Sequence, residues 1–138
     1  MTPVPSPLRV VEETPAYWRV VFDYPPFNVV DDTMYEGLQN LLGRVDASQN
    51  LCVIVFESAM KDFYLSHFDL TGKLGNITTA VGTSGFPILM DTFVRLTRSR
   101  VVSIARYSTF IGCSPSDFPM RCITRLMRMC ASSFVVYR

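Results

Sequence analysis

The sequence predicts an α/β domain with a partly parallel sheet. Short runs rich in β-branched and aromatic residues alternate with longer segments whose apolar residues recur at helical spacing. The resulting order is strand, strand, helix, strand, helix, strand, and parallel neighbours need such intervening helices. With 138 residues, 49% of them hydrophobic, the chain is long enough for one domain with a buried core.

A hairpin begins the predicted domain, after a loose proline-rich tail over residues 1–7. Strands are predicted over residues 8–13 and 17–23, because both segments are rich in β-branched and aromatic residues. Thr14-Pro15-Ala16 separates them, and Tyr24-Pro25-Pro26 ends the second strand, since proline cannot donate to a ladder.

The first helix is predicted to follow a short extended link over residues 27–30. Asp31 or Asp32 supplies its N-cap, and Glu36 lies in its first turn, where a negative charge is favourable. Apolar residues at helical spacing then continue to about Ala47.

The apolar run Leu51–Phe56 is predicted to be a buried strand, with Cys52 as a small core residue. It leads into a tight loop over Asp62–Leu70 and then toward a helix. Such a junction can aim an unpaired backbone N–H at a ligand carbonyl. Reactions that form an enolate or a tetrahedral oxyanion need donors of that kind.

A second helix is predicted over Phe86–Leu96, with arginines toward its end, and a strand over residues 101–105. Between the loop and this helix, residues 69–81 stay ambiguous because glycines weaken a helix there.

From Tyr107 the character of the sequence changes. Residues 1–106 carry nine Lys/Arg and eleven Asp/Glu, whereas residues 107–138 carry four Arg and one Asp. A helix over residues 120–130 and a strand over residues 133–137 are compatible with this segment. We expect 107–138 to be a divergent tail of frame-shifted or alternatively spliced origin.

Composition excludes several classes of function. A net charge of +1 argues against nucleic-acid binding across the whole surface. No signal peptide is expected from the proline-rich N-terminal residues, and no apolar run approaches the roughly 18 to 20 residues that span a membrane. No metal site is expected, because His67 is the only histidine and the four cysteines show no Cys-x-x-Cys spacing. A soluble intracellular protein is therefore expected.

Several segments match a known family in order and spacing. Residues 26–30 (Pro-Phe-Asn-Val-Val) are similar to the family's Pro-x-Asn-x-Leu, and Val53–Phe56 to its V-V-V-L strand. Phe63–Leu70 is similar to Phe-x-Ala-Gly-x-Asp-Leu, and residues 101–105 to the strand K-P-x-I-A. On these motifs, residues 8–106 resemble the N-terminal half of the crotonase superfamily, the enoyl-CoA hydratase/isomerase family.

The resemblance implies an incomplete crotonase (ClpP-like) core, a spiral of ββα repeats behind an N-terminal hairpin. It implies acyl-CoA as the substrate and no separate cofactor. Ser66, His67, Phe68 and Asp69 fall on the family's Ala, Gly, x and Asp. The backbone N–H of Phe68 is then the first oxyanion-hole donor, Ser66 and His67 border the acyl-CoA channel, and Asp69 counts among the substrate-binding residues.

The residues themselves leave alternatives open around this loop. His67 is suited to proton transfer or merely shapes the channel. Asp69 is suited to act as a general base or as a helix N-cap. Glu57 and Asp62 flank the loop and either approach a substrate or remain solvated.

The second half of the family pattern is missing from the sequence. In the family a glycine-rich turn, G-x-A-x-G-G-G-x-E-L, supplies the second oxyanion donor and often a catalytic Glu. Here residues 106–117 contain a single glycine, Gly112, and no Glu. The C-terminal part that builds the family's trimers or hexamers is also not found.

We therefore expect a truncated enoyl-CoA hydratase/isomerase-like protein that is inactive by itself. The alternative is a non-catalytic interaction or scaffold protein that retains the crotonase-like sheet. The sequence leaves open the acyl group, the reaction and the compartment, whether cytoplasm, mitochondrion or peroxisome.

Overall fold

The computed structural model of the chain describes residues 6–60, 63–69, 80–106 and 134–137. Within these ranges a mixed sheet has the strand order β1-β2-β3-β4-β5, with β1 antiparallel to β2 and the other neighbours parallel. The elements are, in chain order, β1 (Leu8–Thr14), β2 (Tyr17–Phe22), α1 (Asp32–Ala47), β3 (Val53–Ser58), α2 (Ile88–Arg98), β4 (Val102–Arg106) and β5 (Phe134–Tyr137).

The predicted α/β class and the order of its elements are confirmed. The final strand is present at residues 134–137, where it pairs with β4. The predicted helix over residues 120–130 lies outside the described residues, as do residues 1–5 of the predicted tail. None of the described helices is both long and apolar enough to cross a membrane.

The core lies between α1 and one face of the sheet. Alternate residues of β2 and β3 point into it, among them Trp18, Val20, Phe22, Ile54 and Phe56, all of which are buried. This alternation corrects the prediction for Cys52, which is exposed although its neighbour Leu51 is completely buried. An unbroken apolar run does not reveal which of two successive residues faces the core.

Helix α1 begins where Asp31 caps it. The Asp31 side chain accepts a hydrogen bond from the backbone N–H of Met34 (2.9 Å), so one of the two predicted caps is confirmed. The second carboxylate oxygen of Asp31 accepts a hydrogen bond from the Tyr24 hydroxyl (2.7 Å). This hydrogen bond to Asp31, together with burial, raises the pKa of Tyr24. The chain between β2 and α1 is thereby tied to the helix start.

Helix α2 begins later than predicted. Phe86, predicted to lie on its apolar face, precedes the helix and is 45% exposed. Residues 80–88 form a small hairpin-like turn, in which Gly82 N–H donates to Phe86 O and Ile88 N–H donates to Ala80 O, both at 2.8 Å. These hydrogen bonds, with the bridge between Val81 and Pro87, keep residues 86 and 87 outside the helix.

Candidate functional site

The candidate loop is fixed by a short parallel bridge between Val30 and Phe68. The Val30 N–H donates to His67 O (3.0 Å), and the Asp69 N–H donates to Val30 O (3.1 Å). In this pattern the two polar groups of Val30 face the loop, whereas the N–H and C=O of Phe68 point to the opposite side. Among the described residues the Phe68 N–H meets no acceptor.

Asn28 is the polar centre that holds this loop in place. It is completely buried, and its Nδ2 donates to Ser58 Oγ and to Tyr64 O, each at 2.8 Å. Its Oδ1 accepts from the Tyr24 N–H (2.8 Å). One side chain therefore joins the ends of β2 and β3 to the loop.

The backbone of Asn28 also helps to hold the loop in place. Its φ of 52° lies in the left-handed region, which asparagine tolerates better than most residues. In this conformation its N–H donates to Tyr24 O (2.8 Å), and its C=O accepts from the Ser66 N–H (3.2 Å). The chain around residue 28 thus positions the segment two residues before the free amide.

Three aromatic side chains, Phe22, Phe56 and Tyr64, pack together between the loop and the sheet. The Tyr64 hydroxyl donates to Phe56 O (3.1 Å), and its ring meets Phe22 edge-on with centroids 5.3 Å apart. Phe22 and Phe56 stack at 6.0 Å. Since all three rings are buried, they hold Tyr64 rigidly between the loop and the sheet.

Two further aromatic side chains lie exposed beside the loop. Phe27 and Phe63 meet edge-to-face at 5.1 Å and are 45% and 39% exposed, respectively. The pair presents apolar surface to solvent next to the residues that Asn28 anchors.

The four residues that the resemblance singles out differ in their surroundings. His67 is exposed, and Phe68 is partly buried and packs against the core. Ser66 is half-buried, and its hydroxyl oxygen is buried without a hydrogen-bond partner. Asp69 is half-buried, and its backbone holds the bridge to Val30. Their roles stay predictions.

Glu57 takes part in an ion-pair row across the sheet. Its carboxylate lies 2.8 Å from Arg19 and 3.2 Å from Arg106. The hydrogen bonds that Arg19 donates to Glu57 and then to Glu13 raise the pKa of Arg19. Glu57 is therefore not a solvated carboxylate, since its side chain is 14% exposed and pairs with two arginines. An approach of Glu57 to a substrate stays a prediction, and Asp62 lies outside the described residues.

Sequence reasoning assigned no role to Asn28, which it placed in an extended link. The available signal was an asparagine between a proline pair and two valines, a place where a left-handed residue fits a turn. Among the described residues no group of three or more His, Cys, Asp or Glu could hold a metal ion.

Solved structures provide the comparison with known proteins. No protein-family model matches the sequence, and no curated protein matches it either. The chain is similar to a structure described as an enoyl-CoA hydratase from Streptomyces avermitilis, with 25% identity and a TM-score of 0.62 over 75% of this chain. The chain is also similar to an enoyl-CoA hydratase from Bacillus anthracis, with 16% identity and a TM-score of 0.57 over 72% of this chain. A third similar structure is an enoyl-CoA hydratase/isomerase from Mycobacterium paratuberculosis, with 17% identity and a TM-score of 0.52 over 75% of this chain.

These matches confirm the predicted fold, an incomplete crotonase core. The alignments cover 39%, 38% and 41% of those three chains, so this chain spans about 40% of the length of the structures it matches. The predicted resemblance to the enoyl-CoA hydratase/isomerase structures of the crotonase superfamily is therefore confirmed for part of that fold.

Proposed function

We propose that residues 8–106 form the thioester-binding part of an enoyl-CoA hydratase/isomerase-type site. The Phe68 N–H would donate to the carbonyl oxygen of an acyl-CoA thioester and polarise it toward an enolate or oxyanion. One observation carries this proposal. The Phe68 amide is held by the bridge to Val30, points away from it, and meets no acceptor among the described residues.

The loop around Phe68 suits such a donor because its conformation is already fixed by hydrogen bonds in the absence of a ligand. Asn28 ties the loop to the ends of β2 and β3 through buried hydrogen bonds of 2.8 Å. A donor that needs no rearrangement when charge develops on the ligand oxygen contributes most to catalysis, on the order of 3 to 4 kcal/mol each.

We further propose that this chain binds acyl-CoA with negligible turnover by itself. The sequence after β4 lacks the glycine pair and the Glu that complete the site in the family. Loss of one oxyanion donor lowers the rate about 10²- to 10³-fold, and loss of the proton-transfer group about 10²- to 10⁴-fold more.

Isothermal titration with crotonyl-CoA tests the proposal. The wild-type protein is expected to bind, and Phe68→Pro, which deletes the amide hydrogen, to bind about tenfold more weakly. Phe68→Leu keeps the amide and an apolar side chain, and is expected to bind like the wild type. Circular dichroism of each variant separates lost binding from lost folding. Equal binding by all three proteins would refute the role of the amide.

The alternative, a non-catalytic interaction protein, is favoured by the exposed apolar side chains. Phe27, Phe63, Val81 and Phe86 are all at least 39% exposed, and the rings of Phe27 and Phe63 touch each other. Contiguous apolar surface of this kind marks interaction sites. Absence of crotonyl-CoA binding, together with a defined oligomer in light scattering, would favour this function.

A further inference from the structure

The Ser66 hydroxyl is a buried polar group with no use inside the described structure. Its oxygen has no hydrogen-bond partner, a state shared by the hydroxyls of Ser84 and Ser103. Leaving a buried hydroxyl unpaired is costly, so each case in a folded protein calls for an explanation. For Ser66 the explanation lies in its position.

Ser66 lies two residues before Phe68 in a segment whose backbone is fixed. The Ser66 N–H donates to Asn28 O (3.2 Å), and His67 O accepts from the Val30 N–H (3.0 Å). A serine hydroxyl ordinarily reaches the amide two residues further along the chain. Here the hydroxyl and the Phe68 N–H do not bond to each other, so two donors close in sequence both remain unused.

We infer that Ser66 is a second oxyanion donor, whose hydroxyl binds the same thioester oxygen as the Phe68 N–H. This inference rests on the proposed function. A carbonyl oxygen has two lone pairs and accepts from two donors at once, and serine hydroxyls serve as oxyanion donors beside backbone amides.

The hydroxyl can turn toward a ligand. Ser66 as a whole is only half-buried, although its oxygen is turned inward. No hydrogen bond holds the side chain there, so rotation about χ1 to another staggered position sacrifices no existing hydrogen bond. The family pattern has alanine at this position, so the second donor would be particular to this chain.

Infrared difference spectroscopy of bound crotonyl-CoA with a ¹³C-labelled carbonyl tests the inference. Each hydrogen bond to the carbonyl lowers its stretching frequency, a signal that a merely structural serine would not change. The wild type is expected to shift the band to lower frequency. Ser66→Ala is expected to give a smaller shift and about three- to tenfold weaker binding, and Ser66→Thr to restore both.

Ser103→Ala is the matched control, because it removes a buried unpartnered hydroxyl from β4. It is expected to leave both the band and the affinity unchanged. If the wild type binds and Ser66→Ala shifts the band equally, the inference about Ser66 fails while the proposed function stands. If the wild type does not bind crotonyl-CoA, both fail.

Discussion

Two completely buried polar residues, Asn28 and Asp91, each tie a loop to the fold, but they do so with different chemistry. Asn28 is neutral, and its amide group donates to Ser58 Oγ and Tyr64 O and accepts from the Tyr24 N–H. Asp91 is a carboxylate, whose Oδ1 accepts from the Ser84 N–H at 2.7 Å. Its Oδ2 has no hydrogen bond and lies 3.5 Å from an Arg95 nitrogen.

The two anchors also serve different regions. Asn28 organises the loop that carries the candidate ligand-binding amide. Asp91 holds the turn over residues 80–87 on α2, and its partner Arg95 continues to Gln39 (3.0 Å) and Asp46 on α1. The comparison teaches that a neutral anchor works at any pH, whereas a charged one works only while its surroundings keep it ionised.

The surroundings of Asp91 do keep it ionised. Burial by itself would raise the pKa of Asp91, but the hydrogen bond from the Ser84 N–H and the charge of Arg95 outweigh it. The pKa of Asp91 therefore lies below its ordinary value of 3.8.

Replacing the neutral anchor is expected to have the largest effect. Asn28→Ala removes the side-chain hydrogen bonds to Ser58 Oγ, Tyr64 O and the Tyr24 N–H, and alanine tolerates a φ of 52° less well than asparagine does. We expect a loss of about 3 kcal/mol or more in the free energy of unfolding, with loss of crotonyl-CoA binding. Urea denaturation measures the first quantity and isothermal titration the second.

Asn28→Gly is the control for that variant. It loses the same side-chain hydrogen bonds but adopts a positive φ without strain, so it should be about 1 kcal/mol more stable than Asn28→Ala. A cost below about 1 kcal/mol for Asn28→Ala would show that Asn28 is not the anchor.

A side chain that crowds Asp91 is expected to lower the free energy of unfolding by less than Asn28→Ala does. A Cβ built at Gly82 would lie 2.1 Å from Asp91 Cγ, so Gly82→Ala must displace the carboxylate or the turn. We expect a loss of about 2 kcal/mol in urea denaturation, within the usual range for overpacking. An unchanged midpoint would mean that the turn moves freely away from α2.

Removing only the charge at the second anchor should cost about 1 kcal/mol at pH 7. Asp91→Asn keeps an oxygen for the Ser84 N–H but loses the attraction to Arg95. Because the folded pKa of Asp91 lies below the unfolded one, its stabilisation is complete above the unfolded pKa and disappears as the pH falls through the folded pKa. The difference between wild type and variant should therefore shrink below about pH 4. A constant difference from pH 2 to 7 would contradict the ionised anchor.

The smallest effect is expected for Gly43→Ala, at a position with free space around it. Gly43 lies in α1, and a Cβ added there meets nothing within 4 Å. Gly43→Ala should raise the free energy of unfolding by about 0.5 to 1 kcal/mol, because alanine favours helix over glycine. Destabilisation by Gly43→Ala would contradict the open space that the structure shows beside Gly43.

Periodicity was enough to predict most of the fold but little of the two anchors. The strands and helices follow from patterns that repeat within a few residues, as in β2 and α1. The partners of Asn28 lie 30 and 36 residues away, and no local pattern records such contacts. Asp91 lies in a segment that was predicted to be a helix from the spacing of its apolar residues. Its hydrogen bond comes from the turn over residues 80–88, for which no conformation was predicted. The candidate loop was found through resemblance rather than through periodicity.

The central claim is that the Phe68 amide binds the acyl thioester. Proton–nitrogen correlation spectra of protein labelled with ¹⁵N-phenylalanine test it most directly, with Phe68→Leu identifying the Phe68 peak by its disappearance. Crotonyl-CoA is expected to move the Phe68 peak downfield, as a new hydrogen bond would, while CoA without an acyl group leaves it in place. A Phe68 peak that stays fixed as crotonyl-CoA reaches saturation would contradict the claim.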